Sequence, residues 1–562
     1  MDCEDHKSLF RDFEARSGEE LRHIELSVQD SVLKVRGGDF LTFGIVKGVG
    51  IQDHPSRFAL ATNPWFDLEL IKFWKHRCIS EHRQSCGNPW RIRQIKPAWL
   101  IDTQRSCLVP GNKGGAYICL SYRWGKSPAY RTTKAALPDL QKPGSLDRTD
   151  IKAQLPPVVS QAMQLVEAMD ERFLWVDTLC IPQDDEDFKV AEMDRMGEIY
   201  GSAFLTIIAA EGDGDHKIPG LPGAAPRISN QDLFKFAHHT LIQVPGGRSL
   251  DKTFRTAYAK RGWTYQEYQM SARKLIFSDS RVHWDCGCDA WDEERPMYKD
   301  LYCKEDTAEY LTAHGLPDLE TIWSVVRGFN HRDLTHDSDA LRAISGILAV
   351  LNRGFDGGFL FGLPIMFFDL ALCWYPHDEL RRRVTPNEQS ETKTARLPSW
   401  SWVGWHGPVH CCSDEIGFDV FSIGASQTHP ITTWHASHAP HGHQRRPIDS
   451  WFHRRPLHCD PYAPPSGWTR EDLVHSPHGF LDPRDQKPHG CGEHVFRHNS
   501  VPHKTFWYHF PTSETVSGIN STAIPSQMPN DLSRVSVDNN GVGTRIELAA
   551  ESNLKEQRTG EK

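Results

Sequence analysis

Two short apolar runs, Phe173–Thr178 and Phe204–Ala209, frame the most informative stretch of the chain. Between them lie the acidic loop QDDED and then Phe188, Ala191, Met196, Ile199 and Tyr200, which recur at the spacing of one helix face. The pattern predicts a βαβ unit. Two buried strands joined through a helix lie parallel with a right-handed crossover, and ligands of such sheets collect at the carboxyl ends of the strands. Asp177, Cys180 and the acidic loop belong to that edge. Upstream, Tyr117–Tyr122 reads as the first strand of the sheet, broken by Trp124-Gly125. Val158, Val159, Ala162, Val166 and Met169 then mark a helix face behind a Pro-Pro start. The expected fold class is α/β, a parallel-sheet βαβαβ core whose strand order the pattern does not give.

On either side the pattern changes. Residues 1–95 read as a helical or mixed N-terminal subdomain, with Trp74, Cys78, His82 and Cys86 each four apart in WKHRCISEHRQSC. On a continuous α-helix Cys78 and Cys86 stand about 12 Å apart, too far for one ion, so the expectation is a packed helix face and no metal. Residues 96–290 form the α/β core, which continues through a helix at Trp263–Met270 and strands at Lys274–Phe277 and Arg281–Asp285. Residues 291–420 read as a helical and Trp-rich extension. In it a helix starts near Asp337, Phe359–Trp374 forms a buried helix too short to span a bilayer, and Trp400 and Trp402 share one face of a strand. Residues 421–562 are His- and Pro-rich and then polar, with a tail expected to be disordered. Within them His458, Cys459, His489, Cys491, His494 and His498 lack the spacing of a metal motif.

Composition narrows the function classes. A formal charge of -9 and a pI near 6.4 leave no electrostatic footprint for nucleic acid. The 14 Cys at irregular spacings and a charged first segment predict free thiols in a reducing compartment, the cytoplasm. Neither GxGxxG nor GxxxxGK occurs, which removes the main support for kinase, NTPase and Rossmann dehydrogenase readings. No cofactor is called for.

Four ordered blocks carry a resemblance: YICLSYRWG at 117–125, FLWVDTLCIPQDDEDF at 173–188, MGEIYGSAFLTIIAA at 196–210 and RGWTYQEYQMSARKLIF at 261–277. Together they resemble the fungal heterokaryon incompatibility (HET) domain family. Flanking features extend the resemblance over about 74–410. The first block reads SYRWG where the family more usually has SHxWG, so Tyr122 stands in place of a frequent His. The resemblance implies non-self recognition between fungal strains and the cell death that follows fusion. It also implies other incompatibility or signalling proteins, or further copies of the chain, as partners. The HET domain is in turn remotely similar to the Toll/interleukin receptor (TIR) domain. Here WTYQE, with Trp263, Thr264 and Glu267, resembles the W-C-x-x-E stretch whose Glu serves NAD cleavage in enzymatic TIR domains.

On that resemblance NAD is a substrate, Glu267 is the carboxylate beside the scissile bond and Asp177 a second one. Arg123 is then available to a phosphate and Trp263 lies beside the ligand. The residues themselves leave other readings open. Trp263 packs on a sheet while Glu267 pairs with Arg261 or Arg273, Asp177 caps a turn, and Arg123 is a surface charge. A non-enzymatic scaffold that oligomerises and recruits partners is the alternative function. A Cys hydrolase using Cys180 is a third, set against a buried inert thiol.

Overall fold

The computed structural model describes residues 63–228, 256–293, 319–384 and 397–411, and short segments at 25–29, 32–37, 39–45, 233–236, 239–244, 432–437, 445–448, 467–472, 494–499, 506–507 and 549–552. The chain divides into two compact units, 1–303 and 304–562.

The first unit is built on an eight-stranded sheet. Its strands are β1 (Trp99–Asp102), β2 (Cys107–Pro110), β3 (Tyr117–Tyr122), β4 (Phe173–Trp175), β5 (Leu205–Ala209), β6 (Arg273–Ser278), β7 (Arg281–Cys286) and β8 (Ala290–Asp292). They lie in the order β8-β7-β6-β5-β3-β4-β1-β2. The pairs β6-β5, β5-β3 and β3-β4 are parallel, and both edges are antiparallel. The expected βαβαβ run is therefore the centre of the sheet, but β3 is not its first strand. β1 and β2 precede it as a hairpin of four-residue strands turning at Ser106, whose φ is 45°. Strands that short carry too little alternation to be seen in sequence.

Every residue of β3 and β5 is buried, as expected of largely apolar strands covered on both faces. The chain leaves β3 for β4 on one side and returns to β5 on the other, so β4-β3-β5-β6 follows the doubly wound order 2-1-3-4 and reverses at β3. Right-handed crossovers then place α2 (Pro157–Ala168) on one face, and α3 (Glu186–Asp194) and α4 (Met196–Ser202) on the other. The helix α5 (Gly262–Met270) packs against α4 and β3. Tyr117 donates to the Ile199 carbonyl at 2.6 Å and Tyr200 to the Leu120 carbonyl at 3.1 Å, fastening α4 to the central strand.

Three local expectations are corrected here. The single helix expected between β4 and β5 is two, broken at Arg195, and only α4 is deeply buried; Ala191 of α3 faces solvent. The run Phe173–Thr178 leaves the sheet after Trp175, and Asp177–Cys180 forms a helical turn. The WKHRC stripe does not continue as an α-helix. After α1 (Leu68–Arg77) the chain widens into a π-turn at Cys78–His82 and tightens into a 3-10 turn at Arg83–Cys86, with Arg83 at φ 45°. A separate five-stranded antiparallel sheet joins Glu25–Gln29, Val32–Gly37 and Asp39–Ile45 to His239–Val244 and Leu233–Phe236.

In the second unit α6 (Leu319–Asn330) and α7 (Arg342–Leu351) are amphipathic, and α7 follows a 3-10 turn at Asp337–Asp339, close to the expected start. Phe359–Trp374 is not one helix. It holds a hairpin (Phe359–Leu360 with Leu363–Pro364), a 3-10 turn and one helical turn. Gly362, at φ 80°, leaves no room for a Cβ, which would stand 2.5 Å from the Trp402 ring. Trp400 and Trp402 do not share a strand face. Ser401 caps a 3-10 turn at Trp402–Gly404, Trp402 is fully buried against Phe329, and Trp400 is half-buried. No helix among the described residues is long and apolar enough to cross a membrane. His458, Cys459, His489 and Cys491, the side chains of His494 and His498, and the tail expected to be disordered, apart from a strand at Ala549–Ser552, lie outside the described residues.

A buried ion pair closes the β7-β8 corner. Arg227, its side chain 1% exposed, places Nη2 2.9 Å from Oε1 of Glu293, and its remaining donors reach the Asn63 and Ser280 carbonyls. Removing one partner strands the other charge out of water. Glu293→Ala is expected to cost roughly 3–5 kcal/mol in urea unfolding followed by tryptophan fluorescence. A loss below about 1 kcal/mol, the scale of an exposed pair, would contradict that view of the corner.

Candidate functional site

Around Glu267 the first unit gathers several buried polar groups. The helix carrying it, α5, is buried along almost its whole length, including Thr264, Gln266 and Glu267. Near its start the buried Thr264 hydroxyl is satisfied, its Oγ1 lying 2.7 Å from the carbonyls of both Tyr258 and Arg261. One turn on, the Glu267 carboxyl is 3% exposed and faces β3. Alternation along the strand puts Ser121 on the same face as Tyr117 and Cys119. Ser121 Oγ lies 2.5 Å from Glu267 Oε2 and 2.6 Å from the Tyr258 hydroxyl.

Burial raises the Glu267 pKa to about 7, opposed by the charge of Arg261 and by the hydroxyls of Ser121 and Tyr200, and reinforced by the negative charge of Asp177. A carboxyl group poised there both gives and takes a proton at neutral pH.

Asp177 sits two residues beyond the end of β4, at the carboxyl edge that the sequence pattern assigns to it. It is half-buried. Its Oδ2 accepts from Trp124 Nε1 at 2.8 Å and its Oδ1 from the Thr178 amide at 2.7 Å. Oδ1 thus bonds only the next amide in the chain, and the helical turn Asp177–Cys180 carries no side-chain cap. Burial raises its pKa, and Arg261 opposes the shift most strongly. Arg261 thus acts on both carboxyls. Its Nη1 donates to the Tyr122 carbonyl at 2.9 Å and its guanidinium stands 5.6 Å from the Trp124 ring centre. Arg273 lies elsewhere, donating to the Phe204 carbonyl and to Cys78.

The other two candidates are placed differently. Arg123 follows β3 directly but its Nη2 pairs with Asp213 at 3.0 Å, tying the loop after β3 to the loop after β5. Asp215 reinforces that tie by accepting from the Lys126 and Ser127 amides. Trp263 is 9% exposed in the first turn of α5. Among the described residues neither forms a hydrogen bond to Glu267 or Asp177. Cys180 is fully buried, and its thiol is pushed up to about 12 by that burial, so it stays protonated. Tyr122 places its hydroxyl 3.2 Å from Thr178 Oγ1. Ser121, Tyr200 and Tyr258 were not singled out from sequence as site residues. A Ser inside a wholly buried strand was the available signal, because its hydroxyl must find a partner.

The sign of the Glu267 shift fixes a pH dependence. Its folded pKa is raised above the ordinary 4.5, so the native state holds this proton more tightly than the unfolded chain. Stability is then lost as pH rises from about 4.5 to about 7, by roughly 3 kcal/mol in all. Glu267→Gln removes the titration, so the fall in unfolding free energy between pH 5 and pH 8 is expected to shrink by an amount of that order. An unchanged difference in paired urea titrations would show that Glu267 is ionised throughout.

This geometry coincides with a family match. Residues 117–267 match the family model described as Heterokaryon incompatibility protein (HET), from the first residue of β3 to Glu267 itself. The match is narrower than the resemblance over about 74–410, leaving out the WKHRC segment and the Trp-rich extension. No curated protein and no solved structure matches the chain. Residues 117–267, which hold β3, the β4-β5 unit and the carboxyl cluster, thus form a domain that matches the heterokaryon incompatibility (HET) family, and this match supports a role in fungal heterokaryon incompatibility.

Proposed function

We propose that the chain acts in fungal non-self recognition as a death effector, and that its HET domain acts by cleaving NAD at the carboxyl edge of the sheet. The observation that supports this most is the pairing of two carboxyls in unequal surroundings. Glu267 is enclosed with a pKa near 7, while Asp177 is half-open beyond the end of β4, the strand next to β3, where the strand order reverses. Breaking the bond between nicotinamide and ribose builds positive charge on the sugar. A carboxylate at Asp177 is suited to stabilise that charge. Water supplies the new bond to the ribose carbon and nicotinamide leaves with the electron pair. The proton released from water is accepted through Ser121 and Glu267, and the products are nicotinamide and ADP-ribose.

A second reading has its own observation. Glu267 is 3% exposed with its hydroxyl partners in place, which suits a carboxyl that holds α5 on β3 in a non-enzymatic scaffold. Conditional expression in a fungal host separates the two, with NAD measured in cells and with purified protein. On the enzymatic reading NAD falls before death. Glu267→Gln and Asp177→Asn, checked for folding by thermal unfolding, then slow NAD loss by roughly 100-fold or more and abolish killing. Killing with undiminished NAD would sink the enzymatic reading and leave the scaffold.

A further inference from the structure

Outside the carboxyl cluster, one group of side chains has the composition of a metal site. Cys78, His82, Cys86 and Cys286 each offer a ligand atom, and these atoms all lie within 4.8 Å of one another. The premise that separated Cys78 from Cys86 in the sequence, a straight α-helix, fails because the π-turn at Cys78–His82 and the left-handed Arg83 fold the stripe back on itself. The fourth ligand arrives from far away in the chain. Cys286 ends β7, and its Sγ lies 3.4 Å from His82 Nδ1.

We infer that this cluster is a structural zinc site. Three thiolates and one imidazole are the soft donor set of closed tetrahedral zinc centres. Zinc-ligand bonds of about 2.0–2.3 Å put tetrahedral ligand atoms about 3.7 Å apart, so the cluster needs to contract by only about 1 Å around an ion. Its enclosure is that of a structural centre. Cys78 and Cys86 are 0% exposed and Cys286 is 1% exposed.

The surrounding groups fit as well. The His82 ring stacks on Trp291 at 5.6 Å, and Arg77 covers the same indole, which holds the imidazole toward the sulfurs. Arg273 donates from Nε to Cys78 Sγ at 3.4 Å, and this cation offsets the net negative charge of three thiolates on a divalent ion. Metal binding at neutral pH releases the thiol protons to solvent.

The position gives the site its role. Its ligands come from residues 78–86 and 286, on either side of the matched stretch 117–267, so an ion would clip the segment before the HET domain to the strand that follows it. Such a clip stabilises the fold independently of the carboxyl cluster.

The full-length chain, purified under reducing conditions without chelator, is expected to carry about one zinc by elemental analysis. Chelation lowers its melting temperature, and zinc but not magnesium restores it. The chelated chain titrated with cobalt(II) gives the thiolate charge-transfer and intense d–d bands of a tetrahedral site. Cys86→Ser and Cys286→Ser lose those bands, whereas Cys373→Ser, at an exposed thiol of the second unit, keeps them. Because the ligand variants can fail to fold, the cobalt spectrum of the unmutated chain decides. A reduced chain that takes up no cobalt, or binds it only with an octahedral, oxygen-ligated spectrum, overturns the site.

Discussion

The contact between Glu267 and Ser121 is the constraint around which the first unit is arranged. A carboxyl group taken out of water is costly unless hydroxyls or charges replace its hydration. Ser121 and Tyr200 replace part of it, Tyr258 bonds to Ser121 in turn, and the remaining cost appears as a raised pKa. The arrangement holds only if α5 lies against the central strand with α4 beside it. Once α5 is docked there, β6 follows within three residues and pairs parallel to β5, extending the sheet beyond the strand reversal.

From that contact the electrostatics spread to the edge. Arg261 lies just before α5 and its charge acts on both carboxyls, opposing in each the effect of burial. It also bonds to the last carbonyl of β3 and stands over Trp124, whose indole binds Asp177. Helix, strand end and the turn after β4 thus share one network at the place where doubly wound sheets bind ligands. Arg123, adjacent in sequence to this network, is drawn instead into fastening two loops through Asp213. Proximity in sequence to a motif is not participation in it.

The elements legible in sequence were those whose burial is complete and local. β3 and β5 are mostly apolar runs, each with one aliphatic hydroxyl residue, Ser121 and Thr206, and α2 shows a clean stripe, because both faces of those strands and one face of that helix are covered. β1 and β2 were not legible because four residues cannot display a period. The α3-α4 break was hidden because Phe188 and Ala191 are apolar although α3 lies at the surface. Trp400 and Trp402 imitated a strand because alternate aromatic residues also occur where a capped turn buries one ring and leaves the next half-covered.

By itself, then, the sequence determined the α/β class, the place of Asp177 at a strand's carboxyl end and the family of residues 117–267. These follow from local patterns: burial of neighbouring residues imposes a period, and motif residues are adjacent in the chain. The tertiary structure decided the strand order, the partners of Glu267 and the convergence of Cys286 on Cys78, His82 and Cys86. Each of these joins residues far apart in sequence, and the last also requires a departure from α-helical geometry. Such pairings are selected by the free energy of packing and of satisfying buried polar groups, which no local period encodes.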